Sequence, residues 1–262
     1  MTNAPEKTLS KVPEVTFIFW LIKIAATTLG ETGGDAVSMS MGLGYLVSTV
    51  IFGALFILLV MIQIRAPKYH PFLYWATIIA TTTVGTTMAD FADRSLGIGY
   101  AGGSTLLLIL LGLSLFVWHR TLGTVSVNTV ATPKVEMFYW VTIMFSQTLG
   151  TALGDWTADG SIFGYTPGYS GGMVIFGTAL AVLALLHFRS GVSKVTLFWA
   201  AFILTRPMGA VLGDFLDKPI ANGGLALSRY SATAALLAFM VACILIFPSR
   251  AGEHPGETKE TA

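Results

Sequence analysis

The chain has 262 residues, of which 54% are hydrophobic and only 11% are charged, and its formal net charge is +1. Soluble domains carry about 25% charged residues, because a surface in water needs charge. The composition therefore indicates an integral membrane protein. The near-neutral charge and the lack of a basic cluster argue against nucleic acid as a partner. A single cysteine, Cys243, excludes a disulfide framework and a cysteine-based metal site.

The first fourteen residues, MTNAPEKTLSKVPE, are polar and lack the pattern of a signal peptide. The first apolar run is therefore expected to remain in place as a membrane helix. A bilayer core about 30 Å thick needs about 20 apolar residues in a helix. Eight such runs are predicted, at 14–35, 43–64, 70–91, 101–119, 135–156, 169–188, 194–215 and 228–247.

A fourfold internal repeat supports this number of helices. In each copy a tryptophan lies ten residues before a glycine, and that glycine lies five residues before an aspartate. The tryptophans are Trp20, Trp75, Trp140 and Trp199, and the aspartates are Asp35, Asp90, Asp155 and Asp214. Each copy is predicted to be one pair of helices, with the aspartate near the end of the first helix. The tryptophans are expected to lie in an aromatic belt at the membrane interface.

The basic residues predict how the chain is oriented. Lysines precede the odd-numbered helices and arginines close the even-numbered ones, so the positive-inside rule places both termini in the cytoplasm and the aspartates toward the outer face. Each repeat has two spans, so all four copies enter the membrane in the same direction. The predicted organisation is a cytoplasmic tail at 1–13, a single transmembrane domain at 14–250 and a second cytoplasmic tail at 251–262. The polar tails, 1–13 and 249–262, are expected to be disordered. The repeats are predicted at 11–65, 68–120, 134–189 and 194–250.

Polar residues are concentrated in the odd-numbered helices, whereas the even-numbered ones are rich in leucine, as in LLLILLGLSLFVW at 106–118. Lipid solvates leucine well, but polar groups need protein partners. The predicted fold is thus an all-α integral membrane protein, with eight transmembrane helices as four parallel two-helix repeats, odd helices inside and even helices outside. Small residues four apart are expected to let the inner helices pack closely. These are Gly30 and Gly34, Gly85 and Ala89, Gly150 and Gly154, and Gly209 and Gly213.

Charged residues within the inner helices are the candidate functional groups, because an ionisable side chain inside a span is costly without a partner. Glu31 and Asp35 lie four residues apart on one helix face, and Lys23 lies two turns before Glu31. Asp35 belongs to the repeat, whereas Glu31 is special to the first copy and Arg206 to the fourth. Lys23, Glu31 and Arg206 form either a buried charge network or a substrate or proton site, and Glu31 and Arg206 are predicted to pair across the bundle.

Two interpretations of the four repeat aspartates stay open. They are either functional groups or N-caps of a short helix beyond each span, since DFAD at 90–93 and DFLD at 214–217 resemble capping sequences. Against a purely structural role, an aspartate at the C-terminal end of a helix meets the unfavourable end of the helix dipole.

The tryptophans and the G-x3-[GA]-D segments, spread over residues 11–250, resemble a family of bacterial membrane proteins built from four tandem copies of a two-helix repeat of unknown function. The resemblance implies a multi-pass protein of the bacterial inner (cytoplasmic) membrane. It implies no particular activity, so the functional hypothesis depends on the residues.

The leading hypothesis is a transporter or exporter for a small cation, with a divalent metal favoured, because carboxylates and hydroxyls are hard oxygen ligands. Asp35, Asp90, Asp155 and Asp214 would bind the metal as an outer ring, and Glu31, Thr28, Thr83 and Thr148 would line the path. The expected partners are the lipid bilayer and the small cation or another small molecule, with no cofactor. No enzyme activity is expected, since no nucleophile, zinc or phosphate-loop motif is present. The alternative is a non-transporting sensor, assembly factor or partner subunit with structural carboxylates.

Overall fold

The computed structural model describes residues 9–160 and 165–253, and most of these residues are helical. The described residues form eight α-helices: α1 (Phe17–Asp35), α2 (Gly44–Arg65), α3 (Pro71–Asp90), α4 (Tyr100–Leu122), α5 (Pro133–Asp159), α6 (Gly168–Arg189), α7 (Lys194–Asp217) and α8 (Arg229–Ile246). They coincide with the eight predicted runs to within a few residues, so the predicted all-helical class is confirmed.

Five of the helices, α2, α4, α6, α7 and α8, are long and apolar enough to cross a membrane. This finding supports the membrane class that the composition indicates. Helices α1, α3 and α5 do not meet that measure of length and hydropathy, because threonine, glycine and charged residues lower their mean hydropathy.

Several helices begin or end at local signals that the sequence supplies. The Thr16 hydroxyl accepts a hydrogen bond from the Phe19 amide at 3.3 Å and so caps α1. Helices α3 and α5 begin at Pro71 and Pro133, where the missing amide hydrogen costs nothing. Helix α4 ends before Gly123, which adopts the left-handed conformation typical of a helix C-terminus.

Helices α1, α3, α5 and α7 form a closed ring in which each helix contacts the next and α7 contacts α1. Equivalent glycines make the closest approaches at all four interfaces, because a Cβ atom at any of them would press on or overlap the neighbouring helix. The contacts are Gly30 with Thr82, Gly85 with Gln147, Gly150 with Arg206, and Gly209 with Thr27. Each contacted residue lies three positions before the glycine of its own repeat. Every interface in the ring is therefore a copy of the same contact.

The even-numbered helices lie outside this ring, and each packs mainly on the inner helix of the following repeat. Helix α2 packs on α3, α4 on α5, α6 on α7, and α8 returns to pack on α1. The two helices predicted as a pair within one repeat are therefore not a packed hairpin. Instead, consecutive repeats interlock, and the last repeat covers the first.

The two ends of the described chain meet in a small antiparallel sheet of β1 (Leu9–Pro13) and β2 (Ala251–Glu253). The prediction of disordered tails is wrong for these two segments, because long-range contacts hold them in place. The Lys11 ammonium donates to Glu136 Oε1 at 2.6 Å, and the Ser10 hydroxyl donates to the Val127 carbonyl at 2.8 Å. The rest of the predicted tails, 1–8 and 254–262, lies outside the described residues.

Three of the four repeat tryptophans lie inside the helix bundle. Trp75 and Trp140 are each 2% exposed, and Trp199 is also buried. Trp75 packs edge-on against Tyr74, with the ring centroids 5.2 Å apart, and the Trp199 indole donates to the Val125 carbonyl at 2.9 Å. The interpretation as an interfacial belt is therefore wrong for these three residues, which fill the end of the ring opposite the aspartates.

We expect Gly209→Ala to lower the free energy of unfolding by about 1–3 kcal/mol, the usual cost of overpacking. The physical reason is that the added methyl overlaps Thr27 across the ring, where backbone as well as side chain must shift. Thermal unfolding of the purified protein in detergent measures the change.

Gly177→Ala in α6 is the matched control, because a Cβ there meets nothing within 4 Å. Alanine favours a helix by up to about 1 kcal/mol over glycine, so this variant should be as stable as wild type or more stable. Equal losses of stability in the two variants would show that close helix approach does not limit the ring.

Candidate functional site

On each inner helix, residues spaced four apart form a stripe on one face, here called the axial stripe. The four stripes together form four layers along the ring. The aspartate layer is Asp35, Asp90, Asp155 and Asp214. The Glu31 layer is Glu31, Thr86, Thr151 and Ala210. The Arg206 layer is Thr27, Thr82, Gln147 and Arg206. The Lys23 layer is Lys23, Ile78, Ile143 and Phe202. All of these residues are at most 2% exposed, so the polar members must find partners within the protein.

Arg206 and Glu31 contact each other between helices α7 and α1. The Arg206 Nη2 atom donates to Glu31 Oε2 at 3.0 Å and to the hydroxyls of Thr86 and Thr151, both at 2.6 Å. The guanidinium thus reaches all three other helices of the ring. Glu31 and Arg206, the two residues that break the fourfold sequence pattern, neutralise each other's charge at the centre of the ring.

Three cations pair with the aspartate layer, and the most distant of them is Arg229 at the start of α8, 3.7 Å from Asp35. Arg94 lies 2.9 Å from Asp90 and 3.3 Å from Asp155, and Lys218 lies 3.0 Å from Asp214 and also pairs with Asp35. Arg94 and Lys218 occupy equivalent positions, four residues after the aspartate of their own repeat. Arg94 and Lys218 therefore each join their own aspartate to that of the next repeat around the ring.

Lys218 lies just after the end of α7, and the neighbouring carboxylates keep its ammonium group protonated. Burial acts to lower the pKa of Lys218, but the carboxylates of Asp214 and Asp35 more than offset this and raise the pKa above the ordinary value for lysine. Lys218 is therefore a fixed positive charge at neutral pH.

The interpretation of the repeat aspartates as N-caps is wrong. Helices α1 and α3 continue directly into π-helical turns at Ala36–Ser40 and Phe91–Ser95, and neither Asp35 nor Asp90 makes a side-chain capping bond there. Helix α7 passes through Asp214 and ends at Asp217. The carboxylates are occupied instead by Arg94 and Lys218, which the sequence analysis did not identify as partners.

Three buried carboxylates converge in the ring. Glu31, Asp155 and Asp214 each offer an oxygen, and these atoms lie within 4.8 Å of one another. A second such group consists of Asp35, Asp214 and Asp217. The two groups share Asp214, and between them they include Asp35, Asp155 and Asp214 of the four predicted aspartates but not Asp90. Asp217 was not predicted, although its place in DFLD, three residues after Asp214, was the available signal.

The predicted path threonines lie one position away from the axial stripe. Thr28, Thr83 and Thr148 are buried, and each hydroxyl donates to a carbonyl of its own helix four residues earlier, at 2.9, 2.8 and 3.0 Å. The threonines that contact the charged pair are Thr86 and Thr151. Their spacing of four residues before an aspartate was the signal that could have found them.

The remaining predicted residues are Lys23 and the small residues at the helix contacts. The Lys23 ammonium lies 4.2 Å from the centre of the Phe202 ring. In three of the four small-residue pairs the second residue is a glycine that extends the helix contact by one turn, with Gly34 facing Thr86, Gly154 facing Ala210, and Gly213 facing Glu31.

We expect Glu31→Gln and Arg206→Gln each to lower the free energy of unfolding by about 3–5 kcal/mol, because each leaves one buried charge without its partner. The double variant should lose much less than the sum, since neither charge then remains. A double-mutant cycle on thermal unfolding measures this coupling.

Glu31→Gln combined with Glu136→Gln provides the control, because Glu136 pairs with Lys11 at the opposite end of the ring. The losses in this combination should add within about 0.5 kcal/mol. Additive losses for Glu31 and Arg206 as well would contradict an energetic role for their ion pair.

The comparisons with known proteins agree with the repeat pattern. A family model described as Repeat of Unknown Function (DUF347) matches residues 18–69, 73–124, 138–193 and 197–250. No curated protein and no solved structure shows significant similarity to the chain. Each of the four matched segments contains the repeat aspartate, and together they cover most of the sequence. The chain therefore belongs to the family of proteins built from this repeat of unknown function.

Proposed function

We propose that this protein is a membrane transporter or exporter for a small cation, in particular a divalent metal. The observation that carries the proposal is the convergence of Glu31, Asp155 and Asp214, with oxygens within 4.8 Å of one another, among buried residues of the ring. Carboxylate oxygens suit Mg²⁺, Ca²⁺ or Mn²⁺ better than soft metals. Buried acidic groups within a span are costly, and they commonly mark ion pathways.

The proposed topology has all eight helices crossing the bacterial inner membrane, with the even helices facing lipid and both termini in the cytoplasm. The five helices that are apolar enough to span support this arrangement. Helices α1, α3 and α5 would cross with them, because their polar residues face the interior of the ring and not lipid. The excess of lysine and arginine at the other end from the aspartates supports the orientation.

In this proposal the described arrangement is the state closed at the outer end. Arg94 and Lys218 form ion pairs with the aspartate layer, and Arg206 forms an ion pair with Glu31. An entering cation would exchange with these tethered charges, so that no carboxylate is left unpaired at any stage. The protein oxygens would meanwhile replace part of the hydration shell of the ion.

A second function is favoured by the same ion pairs. Every repeat aspartate already has a cationic partner, with Asp90 and Asp155 on Arg94, and Asp35 and Asp214 on Lys218. A non-transporting membrane protein, such as a sensor, assembly factor or partner subunit, would use these pairs only to join the four repeats. The flux experiment separates the two functions.

We expect purified protein in liposomes to take up at least one cation from a panel of Mg²⁺, Ca²⁺, Mn²⁺, Zn²⁺ and small organic cations. Asp155→Asn, Asp214→Asn and Glu31→Gln should each reduce that uptake at least tenfold, because each replaces a charged carboxylate ligand of the central group with a neutral amide. Initial rates with a metal-sensitive dye or a radioisotope inside the liposomes measure the flux.

Glu14→Gln is the control, since Glu14 is exposed and lies before α1, at the opposite end of the ring from the aspartate layer. This variant should transport like wild type. Uptake that is absent for the whole panel, or unchanged in the three folded site variants, would count against transport through this group and would favour the structural role.

A further inference from the structure

A wide apolar groove lies at the end of the ring opposite the aspartates and takes no part in the proposed cation site. Its volume is about 1580 Å³, and residues of α1, α6, α7 and the β1–β2 sheet line it. Phe17 and Phe188 are among these residues and are 78% and 80% exposed. A contiguous apolar surface of this size marks a binding site.

The groove is associated with a difference between α6 and the other outer helices. A glycine with positive φ marks the start of α2, α4 and α6, and nineteen residues after it stand Gln63, Trp118 and His187. Gln63 and Trp118 are at most 1% exposed, and the Trp118 ring lies 5.8 Å from that of Trp199 on α7. His187 is instead exposed and lines the groove. The third repeat therefore lacks the buried side chain that the first two repeats have at this position.

The groove has the depth of one membrane leaflet. On α7 its lining runs from Lys194 to Thr205, which is about 16 Å of helix at 1.5 Å per residue. Half of a hydrocarbon core about 30 Å thick is about 15 Å. The walls between these two ends are largely apolar and include Val195, Leu197, Phe198 and Ala201 from α7, with Leu180 and Leu183 from α6. The length and the chemistry of the walls match a lipid acyl chain.

Basic side chains line the end of the groove at the start of α7. Lys68, Lys194 and Arg250 are exposed there, and none of them forms an ion pair with another described residue. Glu14 and Glu253 line the same end, so the basic groups outnumber the acidic ones. The other lysines and arginines at this end of the helices add to the positive potential. An anionic group is therefore attracted to the place where the apolar walls begin.

We propose that the groove binds one molecule of an anionic phospholipid, with an acyl chain along α7 and the phosphate beside Lys194 and Arg250. Basic pockets between transmembrane helices on the cytoplasmic side bind such headgroups. The inference rests on the proposed membrane topology and not on cation transport. Residues 1–8 of the same chain, MTNAPEKT, are too polar to match the apolar walls.

The test is the thermal unfolding of the purified full chain in a neutral detergent with added phosphatidylglycerol or, in parallel, phosphatidylethanolamine. A ligand that binds only the folded state raises the unfolding temperature once its concentration exceeds Kd. We expect a rise of several degrees with phosphatidylglycerol and less than half that rise with the zwitterionic lipid. Native mass spectrometry of the same samples should show one retained phosphatidylglycerol per chain. Glycerol phosphate, which has no acyl chain, should have no effect.

A pair of double variants tests the headgroup contacts. Lys194→Gln with Arg250→Gln removes two basic groups of the groove, whereas Arg120→Gln with Lys134→Gln removes two exposed basic groups at the same end that do not line it. The first should lose most of the difference between the two lipids, because that difference arises from the headgroup charge. The second should keep the wild-type response.

A pair of single variants tests the chain contacts. Ala184 is exposed and lines the groove, whereas Ala181 is exposed on the same helix and does not line it. Ala184→Trp should fold as stably as wild type and lose the retained lipid, because the indole fills the space of the acyl chain. Ala181→Trp should retain the lipid as wild type does.

Equal effects of the two lipids on wild type, or equal lipid retention in the Ala184 and Ala181 variants, would overturn the proposal. An effect of glycerol phosphate as large as that of the lipid would also overturn it, by showing a phosphate site without the groove. A dimer that Ala184→Trp abolishes would assign the groove to a second copy of the chain. A lipid effect seen only after deletion of residues 1–8 would assign it to that segment. None of these measurements needs cation flux, so their outcome is independent of the transport experiment.

Discussion

The close approach of the inner helices at Gly30, Gly85, Gly150 and Gly209 is the constraint on which the rest of the structure depends. Without side chains at these positions, each helix backbone meets its neighbour directly, and the ring closes tightly enough to bury the whole axial stripe. Burial in turn gives the charged residues their importance, because the loss of one partner leaves an uncompensated charge in a dry interior, which costs far more than the loss of a surface ion pair.

The backbone of the ring is nearly fourfold, whereas its charges are not. At the aspartate end of the ring, Arg94 and Lys218 join the second repeat to the third and the fourth to the first, while the equivalent positions in the other two repeats hold Met39 and Asp159. At the centre, a single pair, Glu31 and Arg206, spans the ring. The symmetry is therefore fourfold in the helix packing, twofold in the positions of Arg94 and Lys218, and absent at the centre of the ring. A site at the centre can consequently be specific for one ligand.

The sequence alone predicted the features that depend on local pattern. Apolar length located the eight helices, and fixed spacing located the four repeats and the glycine contacts. The axial face could not be identified in the same way, since every inner helix is polar on several sides. Thr28, Thr83 and Thr148 differ from the true stripe by one residue, which is about 100° around a helix. Only the rotation of each helix against its neighbours selects Thr86 and Thr151.

Other features escaped prediction because they join distant parts of the chain. Hydropathy shows that α8 is apolar, but it does not show that α8 covers α1. Nor could the β1–β2 pairing be seen from two short polar tails. The tryptophans illustrate a different limit, because a residue suited to the membrane interface is equally suited to the end of a closely packed bundle, and sequence position is the same in both cases.

The pairing of β1 with β2, together with the return of α8 onto α1, makes the chain circular in all but its covalent bonds. The junction between the last and first repeats is built like the junctions between consecutive repeats. Geometrically the described part of the protein is a ring of four interlocked two-helix repeats. A circular permutant opened at the loop before α3, α5 or α7 would contain every interface of the natural chain.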